Sequence, residues 1–460
     1  MPPKKNAPSP AASTPTSITI RMYNVGFGDC FLLTFHSADK DRHVLIDYGS
    51  TAAPKGKSAH YMTEIAKDIK AACNGKLDIV VATHRHRDHI SGFSTDGEGT
   101  GNVIASLKPD HVIQPWTEDP DAKPDAMTAT TSSEDNSPAH LTAQYLGSLQ
   151  DMHSIAATVV RLVKTNKIVA GPEKKNQLTF LGENNLSNLS AVKNLIAMGK
   201  TGKAHFVNAG MELNDLLPGV KITVLGPPTL KQSDVIRKER ASDPDEFWQF
   251  RSFWASQNMA ATSVLAARGT ESFTNHKTLP KASRSPNMRW FIAQSQKIHA
   301  DQALELVRDL DSVMNNTSVI LLFEVGDRKL LFPGDAQIEN WSFALTNNAW
   351  RNLLKDVKLY KVGHHGSLNA TPKSLWKLFD HRGDAKTPDR LETLCSTKSG
   401  KHGSVRSGTE VPRGPLVQQL KTDSDFNSTE DFRAPNALVQ SISITVGSGP
   451  ERPKKVSKRS

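Results

Sequence analysis

The chain has 460 residues, 37% of them hydrophobic and 23% charged, with a formal charge of +10. That is more chain than one hydrophobic core usually organises, so one large domain with insertions, or two domains plus tails, is expected. The composition excludes a collagen-like or wholly disordered protein, and the longest apolar runs, such as 319–323 and 79–82, fall far short of the ~20 residues a membrane-crossing helix needs.

The opening stretch Met1-Pro-Pro-Lys-Lys5 has charge but no apolar run or small-residue cleavage site, so residues 1–16 read as a disordered basic leader rather than a secretory signal. Cys30, Cys73 and Cys395 are scattered and odd in number, which cannot build a disulfide framework and points to a reducing compartment, with the cytoplasm as the default. Lys4, Lys5 and residues 448–460, which read as a disordered basic tail, carry six of the ten net charges. The body is therefore only mildly basic. Such tails can attract a nucleic acid through counterion release, although a solvated end is their commonest meaning.

In chain order, Ser17 to Val25 alternates apolar and polar positions and runs into the turn Gly26-Phe-Gly-Asp29. Short apolar runs follow at Cys30–Phe35 and His43–Asp47, predicting an antiparallel meander of three strands. A helix is expected over Tyr61–Ala72 with Ile65, Ile69 and Ala72 on one face, then a buried strand at Leu77–Ala82. Trp116–Ser137 has the composition of a long surface loop, Ala139–Lys164 looks helical, and Lys221–Leu225 is a strand. Ser233–Ala267 contains helical material rich in aromatic residues, including Phe247, Trp248, Phe250, Phe253 and Trp254, and Thr274–Asn287 is loop-like. Ser318–Val325, the turn Gly326-Asp327 and Lys329–Phe332 make a β-hairpin, with further strands at Leu359–Val362, Leu391–Ser396 and Ser441–Val446. Two batches of strands interleaved with helices predict two sheets covered by helices, an α+β sandwich.

One segment dominates the chemistry. In His84-Arg-His-Arg-Asp-His89, three imidazoles and a carboxylate lie directly after a buried strand. On an extended backbone His84 and His86 point the same way, while Asp88 and His89 can turn toward a second point. Imidazole nitrogen and carboxylate oxygen are ligands that suit zinc, and also manganese or iron. A polar loop with accidental histidines is the weaker explanation, because the cluster ends a core strand. His205 and His153 lie elsewhere as single histidines, and Cys30 and Cys395 read as small core residues. Arg85 and Arg87 flank the ligands and could contact an anionic substrate or simply be solvated.

This loop resembles the His-x-His-x-Asp-His hallmark of the metallo-β-lactamase superfamily. Asp47 in Leu45-Ile-Asp-Tyr-Gly49 is similar to the family's acidic residue that supports the metal loop by hydrogen bonding, and Asp335 in Leu331-Phe-Pro-Gly-Asp335 to its metal-bridging carboxylate. Within the superfamily, Asn24–Asp29, Asn316–Leu322 and Lys361-Val-Gly-His-His-Gly-Ser367 resemble the hydrolase domain of ComEC-type competence proteins and phosphorylcholine-esterase-like enzymes. The resemblance implies a four-layer αββα sandwich over residues 17–447, with a helical and loop insertion at about 120–315 interrupted by the core strand 221–225. It also implies metal ligands His84, His86, Asp88, His89, Asp335 and, after a later strand, His402, which reads otherwise as an exposed loop histidine. His364 and His365 would then serve acid–base work and phosphate contacts. The chain departs from many relatives at Val224-Leu-Gly-Pro-Pro228, where the third histidine of the first metal site has no counterpart. Either His84, His86 and Asp335 hold a weak first site, or only the second fills.

The expected function is metal-dependent hydrolysis, on one or two Zn2+ ions or on Mn2+, with Asp88 orienting the water and a phosphodiester favoured as substrate, a small molecule or a nucleic acid. Lactone, thioester or amide hydrolysis on the same metals is the alternative among enzymes. A non-catalytic metal-binding interaction protein is the alternative outside them. Fold alone does not define substrate.

Overall fold

The alternating segment at the start of the chain forms β1 (Ser17–Tyr23), and the apolar runs after it form β2 (Cys30–His36) and β3 (Arg42–Tyr48). They pair antiparallel, as the short links between them require. Helix α1 (Tyr61–Ala72) follows and buries Tyr61, Ile65, Ala66 and Ile69, leaving Ala72 at the edge of the core. After it the chain turns parallel: β4 (Ile79–Val81), β5 (His111–Pro115) and β6 (Lys203–Val207) add to β3 in register. With β13 (Val439–Thr445) and β14 (Lys454–Val456) on the other side of β1, this mixed sheet has eight strands in the order β14-β13-β1-β2-β3-β4-β5-β6.

The second mixed sheet has six strands in the order β12-β11-β10-β9-β8-β7. It comprises β7 (Lys221–Gly226), the hairpin β8 (Ile320–Val325) and β9 (Arg328–Phe332), then β10 (Leu359–Lys361), β11 (Glu392–Cys395) and β12 (Asp425–Ser428), which run parallel to β9. The computed structural model describes residues 13–57, 60–122, 127–128, 161–165, 175, 178, 188–233, 314–406, 408–432, 437–447 and the backbone of 454–456. The leader up to residue 12, His153, the aromatic segment from Phe247 to Trp254, and most of the helix and loops expected over 123–187 and 234–313 lie outside the described residues.

Three apolar clusters hold these elements together. One joins Ile20, Phe31, Phe35 and Val44 of the first sheet to Ile222, Phe323 and Phe332 of the second, with Phe31 and Phe332 edge to face at 5.7 Å between ring centroids. A second packs α1, α3 (Thr100–Ala105) and α4 (Leu189–Thr201) against the first sheet through Ile65, Ile69, Ile104, Val192 and Leu195. A third packs α5 (Ile338–Ala344), α6 (Asn348–Lys355), α7 (Lys373–Leu378) and α8 (Gly414–Asp423) against the second sheet through Trp341, Leu354, Trp376, Leu416 and Leu420.

Two segments inside the interval expected as insertion, α4 and β6, are thus part of the packed fold, and the tail expected as disordered supplies β14, which pairs antiparallel with β13. Asn188 caps α4 by accepting a hydrogen bond from the Ala191 amide, and α4 covers the first sheet with its apolar face. Among the described residues, no helix is long and apolar enough to cross a membrane.

Candidate metal centre

Parallel strands of both sheets deliver their carboxyl ends to one place, the usual position of a functional crevice in such sheets. From the first sheet come Asp47 at the end of β3 and the histidine loop after β4. From the second come Asp335 after β9 and the pair His364 and His365 after β10. The sheets are joined there by a hydrogen bond from the Val319 amide to the Thr83 carbonyl, 2.9 Å.

The loop changes conformation within three residues. His86 is extended, and α2 (Arg87–Ile90) is one helical turn whose His89 and Ile90 amides both donate to the His86 carbonyl. The extended part brings His84 Nε2 to 2.9 Å from His86 Nδ1, and the helical turn carries Asp88 and His89 into a different set of partners. Two glycines allow the backbone to come this close. A Cβ on Gly49 would lie 2.4 Å from the Asp88 carbonyl carbon, and one on Gly28 would lie 2.6 Å from the Asp88 oxygen. The Gly26-Phe-Gly28 turn is therefore a seat for the histidine loop.

Asp88, His89, Asp335 and His365, all buried, present ligand atoms within 4.8 Å of one another. His89 Nε2 lies 3.0 Å from Asp335 Oδ2, and His365 Nε2 lies 3.2 Å from Asp88 Oδ2 and 3.4 Å from Asp335 Oδ2. Each imidazole is oriented from its other nitrogen, the arrangement that fixes metal-binding histidines. His89 Nδ1 meets Asp47 Oδ2 at 2.8 Å, and His365 Nδ1 meets the Ser396 carbonyl at 3.0 Å. Asp47 itself, at φ 56°, accepts from the Thr83 amide at 2.8 Å and the Thr83 hydroxyl at 2.7 Å.

His364 and His365 are consecutive non-glycine residues in the left-handed region, at φ 42° and 53°. That conformation is costly and is kept where the surroundings over-determine it. It turns His365 into the cluster and leaves the His364 side chain 18% exposed, with Nε2 3.8 Å from Asp335 Oδ2.

Charge and burial are balanced finely. Burial favours the neutral imidazole and, with the neighbouring histidines, pushes His84 well below the ordinary histidine range; His86 falls to about 4, again chiefly by burial. Burial also opposes charge on His89 and His365, but Asp335 with Asp47 raises the first well above the usual value, and Asp335 with Asp29 raises the second to about 10. Desolvation works against ionised Asp88 as well, yet His365 and His89 hold it at about 2. Ionised carboxylates and imidazoles carrying displaceable protons are what a cation would require, since binding releases those protons. Asp88 Oδ1 is buried with no hydrogen-bond donor. The residues present fit a divalent metal ion: the donors are nitrogen and oxygen, buried, and one is left open.

Of the residues singled out from sequence, Asp88, His89, Asp335 and His365 are brought into one group, Asp47 supports it, and His84 and His86 sit beside it. His365, expected to contact substrate, stands among the ligand atoms. His402, expected as the last ligand, pairs with Val411 in an isolated bridge and belongs to neither group of metal-competent residues found among the described ones. His205 is paired with His111 across β5 and β6, Nε2 to Nδ1 3.1 Å, and Arg85 reaches Glu118 at 3.3 Å and Met314. Cys30 and Cys395 are buried in the core. Sequence reasoning passed over Asp29 and Lys361, although both stand inside motifs it quoted. Asp29 forms a second metal-competent group with Asp47 and His89, and Lys361 is ion-paired to it.

No protein-family model matches the chain, and no curated protein matches it. What is established for function is therefore the buried His/Asp cluster, which could hold a metal ion.

Proposed function

We propose that this chain is a metal-dependent hydrolase of the metallo-β-lactamase type, with the four-layer αββα sandwich of that superfamily and a likeness to its ComEC-type and phosphorylcholine-esterase-like members. The observation that carries the reading is the convergence of Asp88, His89, Asp335 and His365 within 4.8 Å of one another at the carboxyl ends of strands from two sheets. The layering is supported by one apolar cluster between the sheets and one beneath the helices on each outer side.

Asp88, His89, Asp335 and His365 would hold one cation, and His84 and His86, beside Asp335, a second. A divalent cation supplies charge that polarises a substrate oxygen and makes water acidic enough to ionise near neutrality. The chain's own groups do the rest. Asp88 Oδ1, with no other donor, accepts a hydrogen bond from the attacking water and orients it. His364, the partly exposed imidazole at the cluster, is held below the ordinary histidine range by burial, so its neutral ring would donate an N–H hydrogen bond to a substrate oxygen. Asp47 and Ser396 keep the two buried imidazoles from rotating. A phosphodiester is the favoured substrate class because the His-His-Gly-Ser motif at 364–367 resembles that of phosphodiesterase relatives and the partly exposed His364 stands at the cluster, where an anionic oxygen could approach.

Elemental analysis of the purified protein, combined with bis(4-nitrophenyl) phosphate and a panel of chromogenic esters, tests this. Bound Zn2+ or Mn2+ with phosphodiester turnover is expected, and H365A and D335A should lose both metal and turnover while H402A keeps both. Turnover of esters alone would replace the substrate class, and a protein with neither metal nor turnover would refute the enzyme.

A further inference from the structure

Lys361 is the only buried lysine among the described residues. Its ammonium pairs with Asp29, donates to the Gly334 carbonyl at 3.0 Å and lies 3.5 Å from Asp335 Oδ1. Asp29 is in turn fixed to the metal loop, its amide donating to the Asp88 carbonyl at 3.0 Å, and its carboxylate faces His365 Nδ1 at 3.5 Å and His89 Nδ1 at 3.8 Å. Four carboxylates, Asp29, Asp47, Asp88 and Asp335, are thus buried together with the Lys361 ammonium among them.

We propose that Lys361 is an internal counter-cation. Seated between Asp29 and Asp335, it occupies the acidic group of Asp29, Asp47 and His89 in place of a metal ion, and it lowers the affinity of the adjoining group of Asp88, His89, Asp335 and His365 for a divalent cation. The inference rests on the metal-binding reading above. The physical reason is twofold. Buried carboxylates repel one another and are costly without a partner, so the ammonium stabilises the protein most when no metal is bound. The same ammonium repels an incoming cation at a distance and in a medium where charges are poorly screened. Lys361 is therefore a positioning and affinity-setting residue with no part in proton transfer.

The test compares wild-type protein with K361M, D29N and the K361M/D29N double variant, all purified in the presence of Zn2+. Titration calorimetry with Zn2+ after stripping should give a dissociation constant at least about tenfold tighter for K361M and several-fold weaker for D29N, one charge removed in each direction. Thermal unfolding should show a larger gap between Zn2+-loaded and EDTA-treated protein for K361M than for wild type, because tighter binding to the native state adds stability by mass action. The double variant, which removes both charges, should return affinity and gap toward wild type; loss of packing alone would not be reversed by D29N. If K361M survives only with Zn2+ bound and D29N restores the stripped form, the proposal is likewise upheld. Zn2+ affinity in K361M equal to or weaker than that of wild type, or a double variant that binds Zn2+ as tightly as K361M, would overturn the counter-cation role while leaving the metal site standing. Wild-type protein that takes up no Zn2+ or Mn2+ would overturn the metal reading itself.

Discussion

Replacing Asp47 with alanine removes three hydrogen bonds at once: those from the Thr83 amide at 2.8 Å, the Thr83 hydroxyl at 2.7 Å and His89 Nδ1 at 2.8 Å. Hydrogen bonds to an ionised acceptor are each worth about 1.5–3 kcal/mol net, and alanine at a left-handed φ of 56° adds roughly 1–2 kcal/mol of strain. The full sum is not reached. Burial raises the Asp47 pKa despite the lowering by His89, so part of the gain is already spent on desolvating the carboxylate. A net loss of about 3–5 kcal/mol is expected for Asp47→Ala, in the range for breaking a buried charged network. Asp47→Asn should cost less, about 1–3 kcal/mol, because asparagine tolerates the left-handed region and its oxygen still accepts from Thr83. Chemical denaturation followed by the fluorescence of the buried Trp341 and Trp376 reads the stability, and hydrogen exchange at the Thr83 amide reads the local bond. With His89 no longer oriented, metal affinity should fall about 10–100-fold. A cost below about 1 kcal/mol for D47A, with Thr83 protection unchanged, would refute the view that Asp47 holds the loop in place.

Gly49→Ala tests the seat of the loop. Its Cβ would stand 2.4 Å from backbone atoms of Asp88 and His89, so the loop must move; a cost of about 1–3 kcal/mol or more and weakened Zn2+ uptake by calorimetry are expected, and wild-type uptake would show that the close approach is dispensable. The His111 and His205 pair sets a pH dependence unrelated to the cluster. Burial and then His111 lower His205 to about 4, whereas the unfolded chain titrates near 6.5, so the folded state binds fewer protons between these values. Its contribution to stability is present above about pH 6.5 and is lost as pH falls toward 4. His205→Gln should flatten that decline in denaturation midpoint, and parallel curves for the two proteins would count against the assignment.

The start of the first sheet and the hairpin of the second were legible because their signals are local. Alternation over Ser17–Tyr23, the turn at Gly26–Gly28 and the apolar face of Tyr61–Ala72 each state their own structure, and the hairpin of β8 and β9 announces itself through Gly326. The strands that escaped, β5, β6, β12 and β14, are short and carry polar or basic residues. His111–Pro115 and Lys203–Val207 are strands because parallel neighbours pair with them, and Asp425–Ser428 because β11 does. Helix α4 likewise counted as insertion until the sheet it covers was in view.

The same division runs through the metal centre. The residue types and spacing in His84–His89, with the position of Asp335 after a hairpin strand, determined that nitrogen and oxygen groups able to hold a metal would gather at the end of β4, since that chemistry is written in contiguous residues. Which later histidine joins them was decided only in three dimensions. His365 reaches Asp88 across 277 positions because β10 lies parallel to β9 and two left-handed residues turn its ring inward, while His402, one strand further on, is held by Val411. The charge balance was also beyond the sequence. Lys361 and Asp29 are far apart along the chain, and only the docking of the second sheet's strand ends on the Gly28 turn, where Ser396 after β11 donates to the Gly28 carbonyl, makes them a buried pair beside the His/Asp cluster.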